Sequence, residues 1–225
     1  MSAKYFHGIT CGVISKPASL IKARALLYES YIKHLGWEIA HDNPSNIKIN
    51  HTEEHITLTD DYDDLSVWFA INHEDDVIAC ARLCHNDTNG LLEIERYNNA
   101  TQILEPLLSE KETLNIVELN REAIAPSYSD QREIYGLLLL KEIFEYCLLN
   151  GHSILTTCNI HDWVSIYDLI SFKFLDNYTF KYCDSEPLPV MVYLATPKDI
   201  RRLLINIDSC LTTLENTTNE SVQFV

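Results

Sequence analysis

The chain has 225 residues, of which 46% are hydrophobic and 10% are aromatic, a composition typical of a globular protein. This length fits a single domain over residues 1–225 that buries a sizeable core without disulfides or a structural metal. A formal net charge of −16 disfavours binding to nucleic-acid phosphates and to anionic membrane surfaces.

The sequence shows no sign of a membrane or secretory segment. No stretch approaches the roughly 20 apolar residues that span a bilayer, and residues 1–12 lack the order of regions found in a signal peptide. We therefore expect a cytoplasmic location. The cysteines are odd in number and form no C-x-x-C pair, which favours reduced thiols. They are Cys11, Cys80, Cys84, Cys147, Cys158, Cys183 and Cys210.

The first half of the chain predicts two helices and two strands. Apolar residues at helical spacing predict a helix over 17–35, and a shorter amphipathic helix is expected over 101–109. Between them, strand-like runs at 65–71 and 77–83 are separated by the polar residues 72–76. This arrangement predicts an antiparallel hairpin.

The second half predicts a strand ending before Pro126, a long helix ending at Asn150-Gly151, and further strands and helices. The expected strands are 114–124, 153–158, 174–182 and 190–195, and the expected helices are 129–149, 161–170 and one from 197, with a frayed end over 212–225. This order indicates a mixed α/β domain.

One motif suggests a metal site. His51-Thr52-Glu53-Glu54-His55 matches the H-x-x-E-H signature of zinc proteases, which requires a helix and a third ligand. The flanking residues are strand-like, so we interpret this segment as a solvated turn and expect no metal.

Several segments of the first half resemble the acyl-homoserine-lactone synthases and their relatives, the N-acyl amino acid synthases. These families share an R-x-x-x-F motif followed by a tryptophan, a D-x-x-D motif, an arginine-leucine pair and an E-[LI]-S-R motif. The matching residues, in order, are Arg24, Tyr28, Trp37, Asp60, Asp63, Arg82, Glu118, Asn120 and Arg121. The chain departs from the motifs at Tyr28, which replaces phenylalanine, and at Asn120, which replaces serine.

A second resemblance covers the other half. Asn159, Tyr167 and Phe172 match the N…Y-x-x-x-G-F pattern of the GNAT superfamily, with Ser171 in place of the glycine. Both resemblances imply the GNAT fold, a mixed, mostly antiparallel twisted sheet flanked by helices, and N-acyltransferase activity.

The resemblance also implies a donor-binding loop at the start of the long helix. The GNAT pattern [QR]-x-x-G-x-[GA] falls on Gln131, Arg132 and Gly136, with a single glycine, and Asn159 completes the implied cofactor-binding set. A glycine-poor loop brings fewer backbone N–H groups to a diphosphate. This favours an acyl-phosphopantetheine donor over acyl-CoA, with no tightly bound cofactor.

The donor's carrier is then an acyl carrier protein, which is itself acidic. The net charge of this chain opposes such a partner, so docking would need a basic patch. The candidates for this patch lie on or near the long helix: Arg132, Lys141, Lys173 and Lys181.

The implied chemistry assigns three roles. Glu118 would accept the amine proton. Backbone N–H groups from Asn120 to Ala123, exposed by a bulge, would polarise the thioester carbonyl. Tyr167 would protonate the leaving sulfur.

The remaining motif residues would bind the acceptor as an alternating charge cluster, in which carboxylates hold an ammonium and arginines hold a carboxylate. They are Arg24, Tyr28, Trp37, Asp60, Asp63, Arg82 and Arg121. The competing interpretation is that these charges form ordinary surface ion pairs.

Four functions fit the resemblance. The leading one is transfer of a fatty acyl group to the amine of an amino acid or a related metabolite. A lactone synthase using S-adenosylmethionine, an acetyl-CoA-dependent acetyltransferase and a non-catalytic GNAT-like binding protein are the alternatives.

Overall fold

The computed structural model describes residues 8–182 and 188–221. Within these ranges the chain forms nine strands: β1 (Ile9–Val13), β2 (Lys48–His51), β3 (Ile56–Thr59), β4 (Ser66–His73), β5 (Asp76–Cys84), β6 (Ile116–Ile124), β7 (Ser153–Cys158), β8 (Phe174–Phe180) and β9 (Val190–Ala195). Seven strands form one sheet in the order β1-β4-β5-β6-β7-β9-β8, and β2 pairs with β3 separately. Only the β6–β7 pair is parallel among these pairings, so the predicted mixed, mostly antiparallel sheet is confirmed.

Six α-helices flank the sheet: α1 (Pro17–Leu27), α2 (Asn98–Leu108), α3 (Lys111–Leu114), α4 (Arg132–Asn150), α5 (His161–Leu169) and α6 (Pro197–Ser221). The predicted hairpin 65–83 is confirmed as β4 and β5, and the strands predicted at 153–158 and 190–195 have the observed bounds. The predicted helix 129–149 is divided, because a 3₁₀-helix at Pro126–Gln131 leads into α4.

The first predicted helix changes its hydrogen bonding half-way. After Leu27 it continues as a π-helix over Tyr28–His34, and the amide of Leu35 donates to the carbonyl of Ser30, five residues back, at 2.9 Å. Such wide turns are uncommon and are often found at functional sites. Here the segment lies beside the C-terminal end of β6, where the hydroxyls of Ser30 and Tyr31 donate to the carbonyls of Ile124 and Glu122.

Other differences concern the ends of the chain. Strand β1 was not predicted, because its five residues include a glycine and show no clear alternation. Helix α6 remains helical to Ser221, where a frayed end was predicted from residue 212. Residues 222–225 and Cys183 lie outside the described ranges.

The core has two faces. Helices α4, α5 and α6 cover one face of the sheet, with Leu119 and Leu139 wholly buried there. Helix α1 covers the other face over β5 and β6, where Ala23 is wholly buried. None of the helices in the described ranges is long and apolar enough to cross a bilayer.

The H-x-x-E-H segment is a hairpin turn rather than a helix. His51 ends β2 and pairs across the turn with Ile56, the first residue of β3. The two histidines therefore lack the one-turn helical spacing on which the zinc signature depends.

Gly136 on α4 is required by the packing of α5. A Cβ atom at this position would lie 2.5 Å from Cδ1 of Ile166 and 3.4 Å from two further carbons of that side chain. Because Ile166 is itself buried, it has little room to move.

We expect Gly136→Val to lower the free energy of unfolding by about 1–3 kcal/mol, since the added methyl groups overpack this contact. Urea unfolding of Gly136→Val, Ile166→Ala and the double variant measures the coupling between the two positions. Costs that simply add would contradict the contact, whereas a double variant more stable than the sum supports it.

Candidate active site

Strand register builds the centre of the candidate site. Trp68 on β4, Arg82 on β5 and Asn120 on β6 are cross-strand partners, so their side chains lie in a row on one face of the sheet. The Arg82 guanidinium carbon lies 5.5 Å from the centre of the Trp68 ring. The strand register alone therefore determines where the Arg82 side chain lies, independently of its ion pairs.

Arg82 is wholly buried, and all three of its nitrogens donate hydrogen bonds. It forms a two-pronged pair with Asp60 at 2.7 and 2.8 Å, and it also contacts Asp63 at 2.5 Å. Glu93 at 2.6 Å and the Asn120 side-chain oxygen at 2.8 Å complete its shell. Such charge-assisted pairs compensate for the loss of hydration.

Two further arginines close the cluster. Arg121 donates to Asp60 at 2.7 Å and to Glu93 at 2.6 Å, and only 9% of its side chain is exposed. Arg24 Nε lies 2.9 Å from Asp63 Oδ2, although the two atoms are not aligned as a hydrogen bond. The predicted cluster thus exists, but its members neutralise one another inside the protein, so the interpretation as surface ion pairs is wrong.

The enclosure affects the carboxyl pKa values unequally. Burial acts to raise the pKa of Asp60, but the charges and hydrogen bonds of Arg121 and Arg82 outweigh it and lower the pKa to about 2. Burial and the charge of Asp60 raise the pKa of Asp63 to about 6. Asp60 is therefore the fixed anion of the cluster, and Asp63 is the carboxyl that gains a proton more easily.

Glu118 borders this cluster. Its side chain accepts hydrogen bonds from the Ile94 amide at 2.9 Å and from the Asn120 side-chain nitrogen at 3.2 Å. Burial, followed by the charge of Glu93, raises the pKa of Glu118 to about 7. A carboxyl with a pKa near neutrality suits proton transfer.

Asn120 bridges the cluster. Its oxygen accepts from Arg82, and its nitrogen donates to Glu93 at 2.8 Å as well as to Glu118. The residue at this position must accept and donate hydrogen bonds at the same time, and a side-chain amide does both. A serine hydroxyl can also do both, but it is shorter and reaches less far.

Strand β6 carries a bulge beside this cluster. Cys80 pairs with Ala123 and Arg82 pairs with Asn120, so two residues of β6, Arg121 and Glu122, oppose the single residue between them on β5. Arg121 adopts φ +55°, a left-handed conformation that glycine normally fills in such bulges. The backbone strain, of order 1 kcal/mol or more, is offset by the two ion pairs of Arg121.

The bulge coincides with the point where β6 and β7 separate. These strands pair in parallel only from Ile116 with Ser153 to Leu119 with Thr156. Beyond this point β7 continues to pair with β9 as far as Cys158, while the bulged part of β6 stays with β5. A wedge-shaped opening results in the middle of the sheet.

A small pocket of about 70 Å³, open to solvent, lies at this opening. The bulged end of β6, the π-helix, the start of α4 and helix α5 line it, and most of the lining is apolar. Its lining includes Tyr31, His34, Leu35, Glu122, Ala123, Ile124, Arg132, Ile160, Trp163 and Ile166.

Glu122 places a carboxyl in this apolar lining. Only 5% of the residue is exposed, and Oε1 accepts a hydrogen bond from the Tyr167 hydroxyl at 2.5 Å. Burial raises the pKa of Glu122 to about 8, and the hydrogen bond from Tyr167 only partly opposes this effect. Tyr167 itself is wholly buried behind Glu122, and burial with the nearby Glu122 charge raises its pKa.

The predicted donor loop differs from the GNAT pattern in what its residues do. Arg132 lines the pocket, but its amide donates to the Ser129 carbonyl within the preceding 3₁₀-helix. The Gln131 side chain accepts from the Tyr135 hydroxyl at 2.5 Å. Gly136 packs against Ile166, so its lack of a side chain serves helix packing. Asn159 lies in the loop that follows β7.

Two residues predicted to bind the acceptor lie apart from the charge cluster. Trp37 packs on Tyr31, with ring centres 4.7 Å apart, and Tyr28 lies under Lys33 at 5.4 Å. Because Tyr31 lines the pocket, Trp37 supports the pocket rather than the cluster.

The predicted basic patch is not continuous. Lys141 forms an ion pair with Asp208 of α6 at 2.6 Å, which neutralises it. Arg132, by contrast, lies at the pocket, about 13 Å farther along the axis of α4.

The sequence did not single out Glu93 and Glu122 as functional residues. Glu93 lies in a short 3₁₀-helix whose position over β5 and β6 depends on the whole fold. Strand alternation places Glu118 and Glu122 on the same face, but the bulge turns Glu122 to the face covered by α5. A glutamate within the segment expected to bulge was the one available signal.

Comparison with known proteins agrees with this geometry. Residues 38–139 match the family model described as an acetyltransferase (GNAT) domain. This match covers a little less than half of the chain. No curated protein gave a match.

Solved structures extend the GNAT likeness over most of the chain. FeeM, an N-acyl amino acid synthase from uncultured soil microbes, aligns with a TM-score of 0.60 at 12% identity, over 89% of this chain and 97% of FeeM. The lactone synthase LasI aligns with a TM-score of 0.51 at 17% identity, over 87% and 93%. BjaI, a CoA-dependent acyl-homoserine-lactone synthase, aligns with a TM-score of 0.53 at 12% identity, over 89% and 90%. At these low identities the structural alignments show the fold alone. The predicted GNAT fold is confirmed.

Proposed function

We propose that the chain is an N-acyltransferase that moves a fatty acyl group from an acyl thioester to the amine of an amino acid or a related metabolite. The observation that carries this proposal is the pocket at the opening between β6 and β7, beside the β6 bulge. A thioester placed there has its carbonyl next to the bulged backbone, whose N–H groups stabilise the oxyanion of the tetrahedral intermediate.

The amine approaches from the face of β6 that carries Glu118. An ammonium group must lose a proton before it can attack, and Glu118 is the candidate base on that face. The charged groups of Arg82, Asp60 and Glu93 are already paired with one another, so these residues do not bind the acceptor directly. They act as positioning residues that hold Asn120 and, through it, Glu118.

The donor is proposed to be an acyl-phosphopantetheine group on a carrier protein. The space beside Gly136 is occupied by the Ile166 side chain, and the first amide of α4 already donates a hydrogen bond. The loop therefore offers a diphosphate few free N–H groups. Pantetheine instead needs largely apolar surroundings, and the lining of the pocket is mostly apolar.

The test uses purified protein with dodecanoyl thioesters of coenzyme A and of an acyl carrier protein, and a mixture of the protein amino acids as acceptors. We expect thiol release together with N-acyl amino acids detected by mass spectrometry. Glu118→Gln should reduce the rate about 100-fold, because its amide cannot accept the proton.

Glu110→Gln changes an exposed carboxylate and serves as the matched control. A lactone formed only with S-adenosylmethionine, or transfer from acetyl-CoA alone, would replace the proposed substrates. No thiol release with any thioester would contradict acyl transfer itself.

A further inference from the structure

The carboxyl of Glu122 has no role in the reaction outlined above, although it lies in the proposed donor pocket. Its side chain faces the apolar end of the opening, and Tyr167 is its hydrogen-bond partner. No cation pairs with it among the described residues, in contrast to the carboxylates held by Arg82. Buried carboxyls without a cationic partner are uncommon, because burial penalises the charged form.

The hydroxyl and thiol groups around Glu122 are uncharged at neutral pH. Its own carbonyl accepts a hydrogen bond from the Tyr31 hydroxyl at 3.0 Å, and Tyr167 lies 3.5 Å from Thr156. The other titratable groups that face it from neighbouring elements are Cys158 at the end of β7, Tyr193 on β9 and, at the pocket mouth, His34 and Arg132. Burial raises the pKa values of Cys158 and Tyr193, which leaves both uncharged.

We propose that Glu122 is the acid that protonates the leaving thiolate, and that Tyr167, assigned this role from the sequence, is a positioning residue behind it. The inference rests on the proposed acyl transfer. Its geometric basis is the position of the two side chains. Glu122 lines the pocket at the bulge, where the thioester would lie, whereas Tyr167 is wholly buried and its hydroxyl donates a hydrogen bond to Glu122.

The reaction forms one bond, breaks one bond and moves two protons. The amine nitrogen bonds to the thioester carbonyl carbon, and the carbon–sulfur bond then breaks with its electron pair on sulfur. Sulfur takes the proton from the Glu122 carboxyl, while the surplus amine proton passes to Glu118 or to water. Glu118 then releases its proton to solvent and Glu122 regains one from solvent, so each turnover restores the starting state.

The fold keeps the two carboxyls separate. Glu118 contacts Ile94 and Asn120 on one face of β6, and Glu122 contacts Tyr167 on the other. The bulge between them produces this division. Base and acid therefore act on opposite sides of the thioester carbon, one on the incoming amine and the other on the outgoing sulfur.

The test varies the leaving group. The probes are the dodecanoyl thioesters of pantetheine, an alkyl thiol, and of 4-nitrothiophenol, whose thiolate leaves without a proton. We expect Glu122→Gln to slow amide formation about 100-fold with the pantetheine thioester and to have little effect with the nitrothiophenol thioester. Glu118→Gln should slow both reactions equally, and Glu133→Gln, which changes an exposed carboxylate on α4, should slow neither.

The Tyr167→Phe variant separates positioning from catalysis. Because the tyrosine hydroxyl stabilises the ionised carboxyl, its loss should move the alkaline limb of the pH–rate profile to higher pH, and Glu122→Gln should abolish that limb. Equal losses with both thioesters, or no loss with either, would overturn the role of Glu122 while leaving acyl transfer intact. If the native protein transfers no acyl group to any amine, the proposed function and this inference both fail.

Discussion

Arg82→Met should lower the free energy of unfolding by about 3–5 kcal/mol, since it leaves Asp60, Asp63 and Glu93 buried without their shared cation. The methionine fills a similar volume, so lost charge pairing rather than a cavity would dominate the cost. Urea unfolding followed by tryptophan fluorescence and circular dichroism measures the change.

Lys22→Met provides the matched control for Arg82. Lys22 pairs with Asp76 at 3.3 Å, and the carboxylate side chain is 83% exposed. An exposed pair of this kind contributes about 0–1 kcal/mol. If Arg82→Met cost no more than Lys22→Met, the cluster would not stabilise the fold, and its charges would have to be explained by substrate binding alone.

Glu122→Gln should make the stability less dependent on pH. The pKa of Glu122 is about 8 in the folded protein, against an ordinary value of 4.5. Between these pH values the unfolded chain ionises while the folded carboxyl stays protonated, so the free energy of unfolding falls as pH rises. The variant lacks this titration, and its advantage over the native protein should grow to on the order of 4 kcal/mol near pH 8 and vanish below pH 4.5.

Paired urea titrations across this range measure that difference, with Glu133→Gln expected to follow the native protein at every pH. Glu118 titrates in the same window and is present in all three proteins, so it cancels in the comparison. Parallel curves for the native protein and Glu122→Gln would show that Glu122 ionises in the folded state as freely as in the unfolded chain.

Much of the fold could be predicted from local patterns. Strand-like runs of residues identified β4, β5 and β7, and Gly151 correctly marked the end of α4. These features depend on short-range preferences that a single sequence displays.

The features that escaped prediction depend on distant partners. The left-handed conformation of Arg121 is maintained by Asp60 and Glu93, and it alone determines which face Glu122 occupies. The GNAT pattern marked Gly136 as a phosphate-loop residue, yet its neighbour Ile166 comes from another helix. The function of Glu122 stays a prediction, because only its position is determined by the structure.

The single parallel pairing also has a consequence for assembly of the protein. The sheet consists of two blocks, one from the first half of the chain (β1, β4, β5 and β6) and one from the second (β7, β8 and β9), joined edge to edge by four residue pairs of β6 and β7. Local pairings of this kind form readily, whereas the joint must wait for α4 to bring the blocks together. The pocket forms only when the two blocks pair at that joint. A ligand bound there would therefore hold the blocks together, and its binding free energy would stabilise the whole domain.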